Sequence, residues 1–394
     1  MQKRLLYHQI VPYIDHKSAL VITGMRQVGK TTLMRQLYDN LGAKTKLWFD
    51  LGNPLDQKFF EDVDYDSIYA RLRQQAGGGH DRLFVFVDEI QNFPEITRVV
   101  KYLIDHYKVK FVVTGSSNYY LKNLFPESLS GRKFLYQLSP LTFREMLYFR
   151  GLMGEKEATE NDLVKNGQID IFTFEKRKAL YEEYLQFGGF PEVVTTSDTQ
   201  TKTAILKNVF ASFFEKDLKI LSDYKDIREL RDLILLLVPR VGSLLDISKL
   251  ASELGVERQK IYGYLEFLQG TFFLKLLPKF SKSIDRSVAG GRKVYFSDTG
   301  LLNAIGKVND GQLLENAAIN QLDSYGKISF YNRRDSAGID AILDDKIALE
   351  IKINGSARDL DKLQKLAKKL GLENSFVISR SYLKNKNFLL PPGL

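Results

Sequence analysis

Two short segments early in the chain carry the residue types and the spacing needed to handle a nucleotide phosphate. The segment Gly24–Thr32, GMRQVGKTT, fits the pattern GxxxxGK[ST], in which loop amides and the lysine surround phosphate oxygens and the next hydroxyl binds magnesium. The apolar run LFVFV is followed by Asp88 and Glu89, which would hold the magnesium shell and polarise the attacking water, respectively. The two segments together predict a site for ATP and Mg²⁺. The predicted nucleotide-binding residues are Gly24, Met25, Arg26, Gln27, Val28, Gly29, Lys30, Thr31 and Thr32, and the predicted metal ligands are Thr31 and Asp88.

A phosphate-binding loop of this kind needs a strand before it and a helix after it. The apolar run Ala19–Thr23 predicts the strand, and Leu33–Tyr38 predicts the helix. Glycines at 24 and 29 allow the backbone to fold around a phosphate, and the amino end of the helix adds a partial positive charge. The alternative is a chance match in a glycine-containing loop, which the two flanking elements disfavour.

Further polar residues follow the next predicted strand, Lys110–Thr114, which itself follows a predicted helix over Ile96–Tyr107. One of them would contact the γ-phosphate and the attacking water in the role called sensor 1, and the sequence does not choose among them. A helix N-cap is the alternative for each residue. Arg132 is a candidate arginine finger that neutralises charge in the transition state, with a purely structural arginine as the alternative. The sensor candidates are Ser116, Ser117 and Asn118.

Alternating strand and helix patterns up to about residue 150 predict an α/β P-loop core, a parallel sheet with helices on both faces. Residues 151–238 are predicted as a helical lid. Residues 239–305 predict a winged helix-turn-helix, because a short helix ends at Gly255 and is followed by a second helix and a hairpin. Such a domain would bind DNA phosphates, or else a protein. Its candidate contact residues are Arg258, Gln259, Lys260, Tyr262, Lys279, Lys282, Arg286, Arg292 and Lys293.

The last segment, 306–394, contains the nuclease-like pattern D…(E/D)xK at Asp340, Glu350 and Lys352. An antiparallel hairpin would place the two carboxylates side by side, and Lys352 would share a strand face with Glu350. With Glu315 from the preceding helix, the carboxylates would hold Mg²⁺, and Lys352 would position or deprotonate a water. The alternative is a solvated charged face.

Composition limits the remaining possibilities. The chain has 394 residues, which suggests two or three domains, and a net charge of +9, which favours a polyanionic partner, nucleic acid first. The absence of cysteine excludes disulfides and zinc–thiolate sites. There is no apolar run of about 18 residues, and the amino end lacks a continuous apolar core, so neither a membrane span nor a signal peptide is predicted. We expect a cytoplasmic protein.

With these segments placed, the chain resembles the prokaryotic AAA-type ATPases that carry a C-terminal domain of unknown function 4143. The resemblance implies a nucleotide-binding core, a winged helix and a restriction-endonuclease-like α/β domain of the PD-(D/E)xK type. Gly338 and Ile339 precede Asp340 where a proline stands in that signature, so the resemblance supports the fold more than cleavage. The segments that carry it are GMRQVGKTTL (24–33), VFVDEIQ (85–91), TGSS (114–117), SGR (130–132), PLTFREM (140–146), FGGFPEV (187–193), YFSDTGLL (295–302), ENAAINQL (315–322), GIDAIL (338–343) and ALEIK (348–352).

The leading hypothesis is an ATPase that acts on or with DNA, in a homo-oligomer if a neighbour's arginine completes the site. The main alternative is a nucleotide-controlled switch that acts through protein partners and has an inactive nuclease-like domain. A nuclease gated by ATP is a third hypothesis. A non-enzymatic DNA-binding regulator is a fourth, which the intact GKTT and DE pairs disfavour. Charge balance does not separate DNA from RNA.

Overall fold

The computed structural model describes residues 2–42, 44–116, 131–217, 224–283, 290–333 and 336–394. The chain divides into two compact units. The first is Met1–Ser139 with Gly270–Phe272, and the second is Pro140–Gln269 with Phe273–Leu394. The boundary between the units lies between Ser139 and Pro140, and the predicted end of the first domain at about residue 150 stays a prediction. The finer split of the second unit into a lid, a winged helix and a nuclease-like domain stays a prediction.

The sheet of the first unit is entirely parallel among the described residues. Its strands are β1 (Ala19–Thr23), β2 (Lys46–Asp50), β3 (Phe84–Asp88), β4 (Lys110–Gly115) and β5 (Lys133–Gln137). They lie in the order β2-β3-β4-β1-β5. The carboxyl ends of β1, β3 and β4 therefore meet at one edge, where ligands bind in open α/β sheets. The predicted α/β class with a parallel sheet is confirmed.

Helices cover both faces of this sheet. They are α1 (Leu5–Ile10), α2 (Lys30–Asn40), α3 (Pro54–Phe60), α4 (Tyr65–Gln75) and α5 (Ile96–Tyr107). Val85 and Val113 belong to one apolar core with residues of α4 and α5. The alternate strand positions Trp48 and Phe86 contact Tyr38 of α2, with ring centroids 5.8 and 5.1 Å apart. This alternation follows from the two-residue period of a strand.

The helices of the second unit are distributed along its whole length. They are α6 (Phe143–Phe149), α7 (Glu155–Ala158), α8 (Leu163–Gly167), α9 (Ile171–Phe187), α10 (Pro191–Thr195), α11 (Thr199–Ser212), α12 (Tyr224–Leu237), α13 (Ile247–Leu254), α14 (Arg258–Gly270), α15 (Thr299–Ile305), α16 (Asp310–Leu322) and α17 (Ala357–Leu370). In the parts of both units that the structure describes, no helix is long and apolar enough to cross a membrane.

The described residues of the second unit form two sheets. Their strands are β6 (Leu274–Pro278), β7 (Arg292–Phe296), β8 (Ile328–Arg333), β9 (Ser336–Leu343), β10 (Ile347–Lys352), β11 (Asn374–Ser379) and β12 (Phe388–Leu389). Strands β6 and β7 form an antiparallel hairpin. The others form a mixed sheet in the order β12-β11-β10-β9-β8, in which β8, β9 and β10 are antiparallel and β10, β11 and β12 are parallel.

The order helix, turn, helix, hairpin is present where a winged helix was predicted. Gly255 ends α13 with a φ of 66°, in the left-handed region that glycine tolerates best. The predicted apolar face of α14 is buried; its members are Ile261, Tyr264, Leu265 and Leu268. These elements agree with the expected order, and their assignment as a winged helix stays a prediction.

The motifs FGGFPEV and YFSDTGLL meet at a buried carboxylate. Asp298 is 3% exposed, and it accepts hydrogen bonds from the Gly189 and Leu301 backbone N–H groups at 2.7 and 2.8 Å. Gly188 has a φ of 72°, and a Cβ there would lie 2.1 Å from Asp298 Oδ1. Burial raises the pKa of Asp298 to about 6, and the backbone hydrogen bonds oppose that rise.

We expect Asp298 to make unfolding pH-dependent. Its native pKa of about 6 exceeds the ordinary value of 3.8, so the native state binds the proton more tightly than the unfolded state does. The stabilisation from this proton is complete below about pH 4 and is lost as pH rises through about 6, on the order of 3 kcal/mol in total. Urea unfolding from pH 4 to 7.5 should therefore show this fall in the wild type and not in Asp298→Asn.

Asp170→Asn is the matched control for that experiment. Asp170 caps the exposed amino end of α9, and the backbone hydrogen bond from Thr173 lowers its pKa. Its contribution to stability is therefore lost as pH falls, whereas that of Asp298 is lost as pH rises. An Asp298→Asn variant with the wild-type pH profile would contradict the assignment.

Candidate functional site

The loop between β1 and α2 has the backbone geometry that the phosphate-binding pattern predicts. Gly24 and Gly29 have φ values of 149° and 93°. A Cβ on Gly24 would lie 2.1 Å from the Leu138 carbonyl oxygen, so no other residue fits there without a shift of the chain. The Leu138 N–H in turn donates to the Thr23 carbonyl at 2.7 Å. The loop is thereby held against the segment that follows β5.

Lys30 lies inside this loop. It is the first residue of α2 and is 5% exposed. Its Nζ donates to the Gly24 and Met25 carbonyl oxygens at 2.9 and 2.7 Å. Thr31 and Thr32 follow in the first turn and are exposed. The ammonium group and the amino end of α2 therefore face the same small region, which favours an anion.

Asp88 and Thr31, the two predicted magnesium ligands, are neighbours. Asp88 ends β3, is 5% exposed, and accepts a hydrogen bond from the Thr114 hydroxyl. Burial raises the pKa of Asp88, hydrogen bonds from Thr114 and Thr31 oppose the rise, and the charges of Glu89 and Asp50 add to it. Carboxylate and hydroxyl oxygens are hard ligands that Mg²⁺ accepts. The residues present therefore fit the metal that the motif implies.

Glu89 is held by three contacts beside Asp88. Its backbone has a φ of 55°, and its N–H donates to Thr114 Oγ1 at 3.1 Å. Its carboxylate accepts a hydrogen bond from the Gln91 side-chain amide. Arg26 Nη1 of the phosphate loop lies 3.9 Å from Glu89 Oε2. Glu89, which was predicted to polarise the attacking water, is thus held between the end of β4 and the phosphate loop.

Thr114 and Gln91 are site residues that the sequence patterns did not predict. Thr114 is fully buried and contacts both Asp88 and Glu89. Gln91 connects the Glu89 carboxylate to β4, because its Oε1 accepts the Ser116 N–H at 3.3 Å. The signal for Thr114 was a hydroxyl at the carboxyl end of a predicted strand, and that for Gln91 was its place within VFVDEIQ.

Ser116 is the sensor 1 candidate that the structure describes. It is 2% exposed, and its hydroxyl has no hydrogen-bond partner among the described residues. Thr23, at the end of the adjacent strand β1, also has a buried hydroxyl with no hydrogen-bond partner among the described residues. Ser117 and Asn118 lie outside the described residues. The choice among the three stays a prediction.

Arg132 lies at the other edge of the sheet from the phosphate loop. Lys133 pairs with Ala19, the first residue of β1, whereas the loop follows the last residue of that strand. Arg132 Nε donates to Asp105 Oδ1 at 2.7 Å. The arginine therefore lies at the end of the sheet opposite the phosphate loop of its own chain, and its finger role stays a prediction. A role toward a neighbouring subunit stays a prediction.

The predicted nuclease-like residues come together in the second unit. Ala341 faces Leu349 in the antiparallel pair β9–β10, so Asp340 lies beside Glu350. Asp340 Oδ2 accepts the Ile351 N–H at 3.0 Å.

Glu350 Oε1 lies 2.7 Å from Lys352 Nζ. Burial raises the pKa of Glu350 to about 7, the charge of Asp340 adds to the rise, and Lys352 opposes it. Burial disfavours the charged form of Lys352, but its carboxylate neighbours outweigh this and raise its pKa.

Lys293 is part of this cluster rather than of a wing tip. Its Nζ lies 3.1 Å from Glu315 Oε1 and 3.6 Å from Asp340 Oδ1, and its side chain is 14% exposed. Tyr295 donates its hydroxyl to Glu315 Oε1 at 2.6 Å. Within the described ranges, no group of three or more acidic or histidine side chains is arranged to hold a metal. The metal role of Glu315, Asp340 and Glu350 stays a prediction.

The other candidate DNA contacts are divided. Lys260 Nζ pairs with Asp226 and Glu229 of α12 at 2.7 and 2.5 Å, so it is not a free cation. Tyr262 is 57% exposed. Arg258, Gln259 and Lys282 are exposed as well. Lys279 and Arg292 are half-buried, and Arg286 lies outside the described residues.

Comparison with known families agrees with the first site. Residues 16–147 match the family model described as an AAA domain, a range that contains the phosphate loop, both carboxylates and all five strands of the parallel sheet. The first unit carries an AAA-type P-loop domain. Residues 178–312 match a model described as a domain of unknown function, DUF8612. The predicted domain of unknown function 4143 and the nuclease-like domain are therefore not confirmed.

Relatives of similar length have no described role. An uncharacterized protein of Haemophilus influenzae is 26% identical over 347 residues, which are 85% of this chain and 81% of that protein. An uncharacterized protein of Methanocaldococcus jannaschii is 28% identical over 377 residues, which are 90% and 80% of the two chains. The solved ORC1 protein of Aeropyrum pernix in complex with DNA covers 76% of this chain and 90% of its own, with 13% identity and a TM-score of 0.32. A similarity that weak carries no argument about this chain.

We expect Gly24→Ala to weaken nucleotide binding about tenfold or more, because the added Cβ forces the loop away from Leu138. Titration with a fluorescent ATP analogue and Mg²⁺ measures the effect. Gly79→Ala is the matched control, since a Cβ there meets nothing within 4 Å and its backbone is not left-handed. Equal affinity in the two variants would show that the loop does not bind the nucleotide.

Proposed function

We propose that this chain is an ATPase that binds MgATP at the phosphate loop and transfers the γ-phosphoryl group to water. The observation that carries the proposal is the continuous set of contacts from Thr31 through Asp88 and Thr114 to Glu89. These contacts support a metal-binding role for Thr31 and Asp88 and a general-base role for Glu89 beside the phosphate loop. The AAA-domain match supports nucleotide binding in general terms.

Binding of ATP would replace the weak hydrogen bonds of the Lys30 ammonium group with stronger ones. The Lys30 ammonium donates to neutral carbonyl oxygens of its own loop, and phosphate oxygens carry charge and accept stronger hydrogen bonds. The amino end of α2 contributes its partial positive charge. Thr31 and Asp88 would hold Mg²⁺, which neutralises negative charge on the phosphates.

Hydrolysis would depend on the placement of Glu89. Its carboxylate would accept a proton from the attacking water as the new oxygen–phosphorus bond forms and the bond to the β-phosphate oxygen breaks, which gives ADP and phosphate. Thr114 and Gln91 restrict the backbone and the side chain of Glu89. The buried Ser116 hydroxyl is the described candidate for a donor to the γ-phosphate or the water.

Two substitutions separate binding from chemistry. Lys30→Ala should abolish tight nucleotide binding and turnover together, because the only change is loss of the loop cation. Glu89→Gln should retain binding and lower the steady-state ATPase rate by about a hundredfold or more, as expected for loss of a general base. Lys44→Ala, at an exposed ion pair with Asp15, is the control and should keep both. Measurable turnover in Lys30→Ala would refute the site assignment.

We also propose that DNA is a partner of this ATPase, through the exposed residues of α14. Arg258 and Tyr262 are one helical turn apart and both are exposed. A basic group and an aromatic ring so placed fit phosphate and base contacts. A protein-facing switch is the second candidate, because Lys260 and Lys293 are occupied by carboxylates. Assembly into an oligomer, with Arg132 reaching a neighbour's site, and cleavage at Asp340, Glu350 and Lys352 stay predictions.

The ATPase rate with duplex, single-stranded and branched DNA, at low and moderate salt, decides between the two partners. We expect stimulation that weakens with salt, since phosphate contacts release counterions. Arg258→Ala should weaken DNA binding and lower the salt slope by about one. Lys178→Ala, exposed on α9, is the control. A rate that no DNA alters would favour the protein-facing switch.

A further inference from the structure

The carboxylate cluster of the second unit already contains a cation. Glu315 of α16, Asp340 of β9 and Glu350 of β10 are largely shielded from solvent, with side chains 18%, 21% and 18% exposed. Carboxylates in such surroundings need a counter-charge, because removing an ion from water without a partner is costly. Lys293 and Lys352 supply it here.

Lys293 has a site built for its ammonium group. Its Nζ lies between Glu315 Oε1 and Asp340 Oδ1, at 3.1 and 3.6 Å, and 5.7 Å from the centre of the fully buried Phe330 ring. Two carboxylates and an aromatic face are the surroundings that stabilise a shielded ammonium ion. The contacts come from three different elements, α16, β9 and β8.

Neighbouring residues hold Glu315 in place for this contact. Tyr295 lies two residues beyond Lys293 on the same face of β7, and its hydroxyl donates to Glu315 Oε1 at 2.6 Å. Gly242 has a φ of 75°, and a Cβ there would lie 2.8 Å from Glu315 Oε2. The Glu315 carboxylate is therefore enclosed by Tyr295 of β7 on one side and by the backbone at Gly242 on the other.

An ammonium group occupies the place that a metal shared by Glu315 and Asp340 would take. Lys293 Nζ lies 3.1 and 3.6 Å from their oxygen atoms, so its positive charge repels a divalent cation there. Among the residues that the structure describes, no group of three or more acidic or histidine side chains is arranged to hold a metal. The residues present therefore do not fit the metal that a nuclease-like domain implies.

We propose that Lys293 is the resident cation of the cluster formed by Glu315, Asp340 and Glu350, that it excludes divalent metals, and that it fastens the β6–β7 hairpin to α16 and β9. The cluster then acts as an ionic link within the second unit. It binds a divalent cation only when Lys293 is removed. This assignment does not depend on the proposed ATPase activity.

Mn²⁺ binding to the full chain tests this proposal. The measurement is made without nucleotide in an Asp88→Asn background, so that the phosphate loop does not add a metal site. We expect no saturable Mn²⁺ binding with Lys293 present. Lys293→Met keeps the length of the side chain but removes its charge. This variant should gain one saturable site, with a Kd for Mn²⁺ at least about tenfold below that of any binding to the protein with Lys293. Adding Asp340→Asn to Lys293→Met should abolish that site.

Thermal unfolding gives a second readout on the same proteins. Lys293→Met should lower the Tm in the absence of metal, because it leaves uncompensated buried carboxylates, and Mn²⁺ should restore the Tm of this variant alone. Lys293→Arg keeps the charge and should behave as the wild type. Lys282→Met, at an exposed lysine that follows β6 of the same hairpin, is the matched control.

Two results would overturn the proposal. One is Mn²⁺ binding with Lys293 present that Asp340→Asn removes, which would make the cluster a metal site as it stands. The other is a Lys293→Met protein that is folded and gains neither Mn²⁺ binding nor Mn²⁺-dependent stability. If Lys293→Met does not fold, Asp340→Asn alone decides, because it should leave Mn²⁺ binding unchanged under the proposal.

Discussion

A buried carboxylate at the end of β3 is the constraint on which the first unit depends. Asp88 is 5% exposed, and a charged group in such a position is tolerated only with hydrogen bonds or a counter-ion. Thr114 from β4 and Thr31 from α2 supply the hydrogen bonds. Each contact to a charged group contributes about 1.5–3 kcal/mol. Because the partners come from two other elements, the position of Asp88 fixes how β3, β4 and the phosphate loop meet.

The second unit meets the same physical problem with a different solution. Its three clustered carboxylates are compensated by lysines, whereas Asp88 is surrounded by hydroxyl groups. Hydroxyls leave the charge of Asp88 uncancelled and available to a cation that arrives with a ligand. An internal ammonium cancels the charge and makes the arrangement permanent. The two clusters therefore differ in what they are able to bind, although both are built on shielded acidic residues.

Local patterns predicted the elements of the first site well. The strand Ala19–Thr23 and the helix Ile96–Tyr107 were predicted with the bounds that the structure has, since an apolar run and a helical period are properties of neighbouring residues. The short helices α3 and α4 were not predicted. Their amino ends are set by the caps Asn53 and Asp64, a local signal that was present and not used.

The misplaced residues have a common cause. Lys293 was expected at a wing tip because its strand and its basic neighbours were visible, but Glu315 and Asp340 lie elsewhere in the sequence. Arg132 was a finger candidate from the segment SGR (130–132), and only the parallel register with Ala19 shows that it lies at the end of the sheet opposite the phosphate loop. Side-chain pairing between distant elements is not encoded in local spacing, whereas the loop at 24–32 is.

The net charge of +9 overstates the positive charge that is accessible to a polyanion such as DNA. Burial lowers the pKa of Lys110 to about 7, and its Nζ donates to three backbone carbonyls. Lys202 is 4% exposed and pairs with Glu183. Lys260 and Lys293 are paired with carboxylates in the same way. Attraction for phosphates depends on charges that solvent reaches. An affinity for DNA must therefore come from exposed residues such as Arg258, and not from the overall charge of the chain.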